Sequence, residues 1–184
     1  HMGVTAEEIA VRYGVSRADQ DAFAAESQRR AVAAIEAGAF AAEIVPVPIP
    51  QKKGDPIRFA VDEYPRAGTT AGKLAALRPA FRKDGSVTAG DGLGLNDRPP
   101  GFVVPSVHPE GAVGRAPIAR IVSWAVAGVE PMVMGMGPVP AVRKALDRAG
   151  LTAADIDRFE LNEAFAVQSL AVARELQLDP ARVN

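Results

Sequence analysis

An amide beside a carboxylate, followed by a small residue and an aromatic ring, stands at Asn162-Glu163-Ala164-Phe165. An asparagine side chain both donates and accepts, so it can hold a water or steady a developing oxyanion. A short apolar run precedes the stretch, after Asp155-Ile156-Asp157, and an Ala-, Val- and Leu-rich segment with helical spacing follows it. The pattern predicts strand, abrupt turn and helix, with Asn162 and Glu163 at the helix start. There, unpaired N–H groups and the positive end of the helix dipole face whatever lies in front. Two readings stand open: Asn162 as a helix cap, a place asparagine favours, or Asn162 as a group that acts on a ligand.

Two further stretches could meet a ligand. Arg66 lies in the aperiodic run 62–70 and is flanked by Pro65, Ala67 and Gly68, which leave backbone and side chain open. An ordinary solvated arginine would look the same. Gly90-Asp91-Gly92-Leu93-Gly94 alternates glycines, so its backbone can approach another group closely. The spacing is not a Walker pattern and lacks the further glycine of a dinucleotide fingerprint, so a plain flexible loop accounts for it.

The composition narrows the chemistry. The 184 residues suit one or two domains. Formal net charge is −1, so no broad basic field serves nucleic acid or an anionic membrane. No apolar run approaches the roughly 20 residues that span a bilayer, and no signal peptide is read at the start. With no cysteine, these residues hold no disulfide, thiolate metal site or cysteine nucleophile. Only His1 and His108 are histidines, which argues against a His-rich metal site.

The elements that position these groups follow from local signals. Thr5-Ala6-Glu7-Glu8 fits a capping box opening a helix to about Tyr13, and Gly14 ends it. Ser16 to Asp19 repeats the signal for a helix with Ala22, Phe23, Ser27, Ala31, Ala34 and Ile35 on one face, stopping near Gly38. Residues 43–49 look extended, with prolines confining them to an edge strand or an irregular segment. Residues 73–77 form about one helical turn, and Lys83-Asp84-Gly85-Ser86 a tight turn. Residues 118–128 read as a buried strand. A Met-rich loop at 132–140 is read as packing rather than a thioether metal site. Pro140 starts a helix that ends at Gly150, and Thr152 to Asp155 marks another start.

The first two segments also resemble a helix-turn-helix. Its second helix would carry Asp19, Asp21 and Glu26 beside Arg17, and acids on that face repel phosphates. A DNA-binding protein is therefore the remote alternative.

Together the motifs resemble the thiolase family. They are His1-Met2-Gly3 with Thr5-Ala6-Glu7; Gln20-Asp21-Ala22-Phe23-Ala24; Glu43-Ile44-Val45-Pro46; and Asp62-Glu63-Tyr64 with Arg66. Leu77-Arg78-Pro79-Ala80-Phe81, Val87-Thr88-Ala89-Gly90, Leu95-Asn96-Asp97, Gly137-Pro138 and Asn162-Glu163-Ala164-Phe165-Ala166 complete the set in family order. Because the family has His-Met-Gly at this point, His1-Met2 is read as native rather than as a cloning scar.

The resemblance implies an α/β, thiolase-like but partial fold: the loop domain plus parts of the two core α/β halves. The divisions expected are 1–86 for the CoA-binding loop domain, 87–115 for the end of the first half and 116–184 for the start of the second. It implies an acetyl-CoA C-acetyltransferase, an acyltransferase that condenses or cleaves acetoacetyl-CoA or 3-ketoacyl-CoA in fatty acid metabolism. CoA thioesters are its substrates, with no cofactor, metal, nucleic acid or membrane involved, and the protein is cytoplasmic and homo-oligomeric. In the family a cysteine takes the acyl group, a second cysteine removes a proton, and a Gly-His-Pro histidine activates the nucleophile. The first lies N-terminal to His1; the others lie beyond Asn184. Only the Asn-Glu-Ala-Phe asparagine is kept, as catalytic Asn162, which acts through a water in an oxyanion hole. For CoA, the resemblance implies His1 and Met2 beside the pantetheine, Arg66 near the nucleotide end, and Phe81, Ala89 and Leu95 lining the slot. Ala164 and Phe165 approach the thioester.

Two departures stand out. The family commonly reads Asn-Ala-Ser-Gly where this chain has Asp91-Gly92-Leu93-Gly94, so a pantetheine-binding hydroxyl is lost and Asp91 would add negative charge near an anionic ligand. Residues 98–115 keep the family length but not its character, as a diverged loop or a pair of compensating frame shifts would produce. A non-catalytic, thiolase-like CoA-binding protein or scaffold is the alternative function.

Overall fold

The computed structural model describes residues 1–92 and 118–184. Leu95 and the aberrant stretch 98–115 lie outside the described residues. His1 caps its own helix: its Nδ1 accepts the Gly3 N–H at 3.1 Å, and α1 runs Met2–Arg12. The helix thus starts before Thr5, whose hydroxyl donates to the Met2 carbonyl instead of capping. After Gly14, Ser16 accepts the Asp19 N–H as expected and opens α2, Arg17–Glu36.

The strands β1, Val47–Ile49, and β2, Ile57–Phe59, make an antiparallel ribbon with Val47 opposite Phe59 and Ile49 opposite Ile57. The polar sequence hid β2, because both strands are exposed and need no apolar alternation. A short helix α3, Ala71–Ala75, is capped by Thr70. A hairpin follows, in which Ala80 N–H donates to Val87 O at 2.9 Å and Pro79 bridges Thr88.

Beyond the undescribed stretch, a 3-10 helix at Pro131–Met136 leads into α4, Pro138–Ala149, which begins before Pro140 and is capped by Gly150. Residues 159–161 run parallel to 182–184: Phe159 N–H donates to Arg182 O, and Leu161 N–H to Asn184 O. The last helix, α5, is Ala166–Glu175.

Helix α5 is the centre of the packing. It touches α1, α2, α4 and the Pro131–Met136 turn. Its Ala166, Val167, Ala171 and Val172 are buried, and so are Gln168 and Ser169. Small side chains let four elements approach one helix, and each fully buried valine contributes about 1.5–3 kcal/mol relative to exposure. Ile9, Val87, Val133, Met136 and Val139 are among the residues that share this core.

The predicted buried strand at 118–128 is corrected. Among the described residues nothing pairs with it, and Ile121, Val122, Trp124 and Val126 are exposed. Apolar sequence makes a strand only where a ladder partner satisfies its amides. The segment is held along α4 instead, by Ser123 Oγ donating to Ala145 O at 2.7 Å and Arg148 Nη1 donating to Trp124 O at 2.6 Å.

A buried carboxylate fastens the hairpin to α1. Glu7, only 2 % exposed, accepts Ser86 N–H at 2.8 Å and Val87 N–H at 3.0 Å. Gly85 sits so close that a Cβ there would overlap the carboxylate. Removing this acceptor leaves the buried Val87 N–H and the half-buried Ser86 N–H unpaired, at about 1–3 kcal/mol for a buried donor before relaxation. Glu7→Ala is expected to lower stability by about 2–3 kcal/mol in urea unfolding, with Glu7→Gln less damaging. An unchanged midpoint would sink the clamp.

Candidate functional site

Three rings meet at the start of α1. His1 and Phe81 lie 5.1 Å apart between centroids, and Phe81 meets Phe165 edge-on at 6.0 Å. Each comes from a different element: His1 from the α1 cap, Phe81 from the hairpin and Phe165 from the α5 cap. Gly3 makes the approach feasible, because a Cβ there would stand in the Phe81 ring. Phe165 also bridges Gly92, and Ala166 N–H donates to Asp91 O at 2.8 Å, joining the glycine-rich turn to α5. The structure therefore brings His1, Phe81 and Phe165 together, with exposed Met2 next to His1 and Ala164 next to Phe165. Ala89 is exposed on the neighbouring turn.

Asn162 is not at the helix start. Leu161 is still held by Asn184, and Phe165, with φ −148° and ψ 143°, is the residue that caps α5. Extended backbone pairing on both sides of the turn delays the helix. Asn162 is exposed, its carbonyl accepts the Ala164 N–H at 3.0 Å, and its side chain bonds to none of the described residues. The amide is thus free to meet a ligand or a water, as a cap would not be.

Arg66 stands apart from the rings. It lines a groove of about 280 Å³ with Gln28, Arg29, Val32, Glu36 and Thr69. Its backbone N–H donates to Gln28 Oε1 at 2.7 Å, and its carbonyl accepts the Thr69 hydroxyl at 2.9 Å. The backbone is therefore fixed rather than open, while the residue remains exposed.

Sequence reasoning missed what joins these parts. Ser27 Oγ donates to Glu163 Oε2 at 2.6 Å, and the next residue, Gln28, holds Arg66. The only signal was a serine interrupting an otherwise apolar helical stripe. Arg17 is equally internal, binding Asp21 and donating to the Leu74 carbonyl at 2.7 Å. On the outer face of α2, Arg29 and then Arg30 hold the Glu26 carboxyl down at about 2. These arginines are engaged by protein carboxylates, against the use a DNA-reading helix would make of them.

Asp91 is also corrected. It is 4 % exposed and turned inward, with Oδ2 accepting Thr88 N–H at 2.8 Å and the Thr88 hydroxyl at 2.6 Å. Its charge is not presented to a ligand. Burial pushes its pKa above the ordinary aspartate value, against the bonds from Thr88; Asp21 adds to the rise and Arg17 opposes it.

The chain matches two family models, "Thiolase, N-terminal domain" over residues 1–106 and "Thiolase, C-terminal domain" over residues 115–184. It belongs to the thiolase family. Among relatives, it is 56% identical to an acetyl-CoA acetyltransferase of Pseudomonas aeruginosa, across the whole of this chain and 47% of that protein. The crystal structure of the Bacillus anthracis acetyl-CoA acetyltransferase superimposes with a TM-score of 0.89 at 46% identity, over 100% of this chain and 46% of that one. Human mitochondrial 3-ketoacyl-CoA thiolase gives 0.87 at 41% identity, over 99% and 45%. The chain spans about half the length of the relatives it matches.

A raised carboxyl pKa favours folding below the unfolded value and loses that contribution as pH rises through the folded one. Asp91→Asn, which keeps an acceptor for Thr88 and cannot ionise, is therefore expected to gain stability relative to the wild type as pH rises toward 7. The gain should shrink toward pH 4. Thermal melts across that range check it, and a gain independent of pH would contradict it.

Proposed function

We propose that these residues form the CoA-binding and oxyanion part of an acetyl-CoA C-acetyltransferase, which condenses two acetyl-CoA molecules or cleaves acetoacetyl-CoA or another 3-ketoacyl-CoA. The observation that carries this reading is the exposed Asn162 amide, three residues before Phe165, which meets Phe81 and through it His1. In condensation a thioester loses an α-proton, and negative charge gathers on its carbonyl oxygen. A water held by the Asn162 amide donates to that oxygen and lowers the barrier to enolate formation. The pantetheine lies along His1, Met2, Phe81 and Ala89, and the thioester reaches Ala164 and Phe165. The Arg66 guanidinium faces the anionic nucleotide end across its groove.

The CoA thioester is the substrate and no cofactor takes part. The working protein is a cytoplasmic homo-oligomer in fatty acid metabolism. One amide cannot replace a nucleophile and a base, and these 184 residues contain no cysteine. A second reading, CoA binding without turnover, draws support from the ring cluster, which needs no nucleophile to bind a ligand.

The 184-residue chain alone is expected to give no acetoacetyl-CoA cleavage. In a polypeptide of full family length carrying these residues, Asn162→Ala should lower kcat by about 100-fold or more. Thiolysis followed at the enolate absorbance of acetoacetyl-CoA measures both. Turnover by the short chain, or an unaffected Asn162→Ala enzyme, would overturn the reading. Calorimetric CoA binding with no turnover at full length would favour the second.

A further inference from the structure

Two consecutive residues of α2 each reach a different end of the proposed site. Ser27 Oγ donates to Glu163 Oε2 at 2.6 Å, and Gln28 Oε1 accepts the Arg66 N–H at 2.7 Å. Consecutive positions on a helix project about 100° apart, so one helical step can serve two neighbouring loops. The bonds span long stretches of chain, 136 residues for the first and 38 for the second. Neither loop is otherwise rigid by secondary structure, since Glu163 precedes α5 and Arg66 lies between β2 and α3.

We propose that Ser27 and Glu163 are positioning residues for Asn162, and that Gln28 is the positioning residue for Arg66. The proposal rests on the thiolase reading of the site and deepens it. The Ser27 hydroxyl bonded to a carboxylate is a short, charge-assisted contact, stronger than a neutral pair. It holds the side chain adjacent to Asn162, and Ala164 N–H returns to the Asn162 carbonyl to close the turn. Rotation of the 162–164 turn would move the amide away from the thioester oxygen. Helix α2 is itself packed on α5 and α3, so it is a firm base for both bonds. At Arg66 the backbone is gripped on both sides, by Gln28 at its N–H and Thr69 at its carbonyl. The guanidinium forms no ion pair with the described residues, so what α2 fixes is the origin of a free cationic arm.

The division of labour separates the two halves of the kinetics. In the full-length polypeptide, Ser27→Ala and Glu163→Ala should lower kcat about 10- to 100-fold, the scale of a small misplacement of a reacting group. KM for the CoA thioester should stay within about twofold. Glu163→Gln, which keeps an oxygen for the Ser27 hydroxyl, should recover most of the loss. Gln28→Ala should raise KM by about 10-fold with kcat nearly unchanged, and Gln28→Glu should recover it. Equal loss in all variants without rescue would mean a structural role only and would overturn the proposal. A second readout does not depend on turnover: in NMR spectra of the 184-residue chain, Ser27→Ala should shift the Asn162 side-chain amide and Gln28→Ala should not. An unmoved Asn162 resonance in Ser27→Ala defeats the positioning claim even where the enzyme is active. A wild-type full-length protein without turnover, but with the resonance shifted, defeats the thiolase reading and leaves the coupling standing.

Discussion

Two backbone amides, those of Ser86 and Val87, close on one buried carboxylate, Glu7. Much of the site hangs from that contact. It locks the hairpin onto α1, and the hairpin carries Phe81 across Gly3, where there is no room for a side chain. Phe81 in turn meets His1 on one side and Phe165 on the other. The neighbouring Glu8 draws Arg82 and Arg12 to the same region, and Arg12 continues to Glu130 at 2.6 Å. These outer pairs are partly solvated and add little energy. The inner one decides geometry, because buried amides without a partner are costly while buried amides with one are specific.

Helix α5 supplies the other half of the arrangement. Its first turns are buried on all sides, and its cap, Phe165, is part of the ring cluster. Core packing and site assembly therefore share a single residue. The loops are drawn together by α2 and α5 rather than by a continuous sheet among the described residues. The surface that carries the rings and Asn162 is made from ends of elements, where side chains are least used by packing.

Local chemistry was legible where it is self-contained. Ser16 capping α2, the Thr152 and Asp155 reciprocal cap and Gly150 closing α4 all follow from residues within one turn. The start of α1 was not, because the capping atom is an imidazole nitrogen of His1, a residue outside the usual cap set. Asn162 was placed at the helix start by local preference, and long-range pairing with Asn184 and Gly92 won instead. Asp91 read as a surface charge because burial is not a local property. The links from Ser27 and Gln28 were invisible for the same reason: their partners are remote in sequence. The resemblance names His1, Phe81 and Phe165 as CoA contacts, and says nothing of the contacts the three rings make with one another.

The run 118–128 carries the chain's single tryptophan, Trp124, on its open side, 69 % exposed. Its carbonyl is pinned to Arg148 while its indole faces solvent. Fluorescence excited at the red edge of the aromatic band, where Tyr13 and Tyr64 do not absorb, therefore has one source, and it sits on a strip whose Ile121, Val122 and Val126 are also exposed. Emission near that of free tryptophan reports an uncovered strip, and a blue shift reports its burial. The protein comes with an optical reporter for whatever comes to lie against this edge, one that needs no label and no change of sequence.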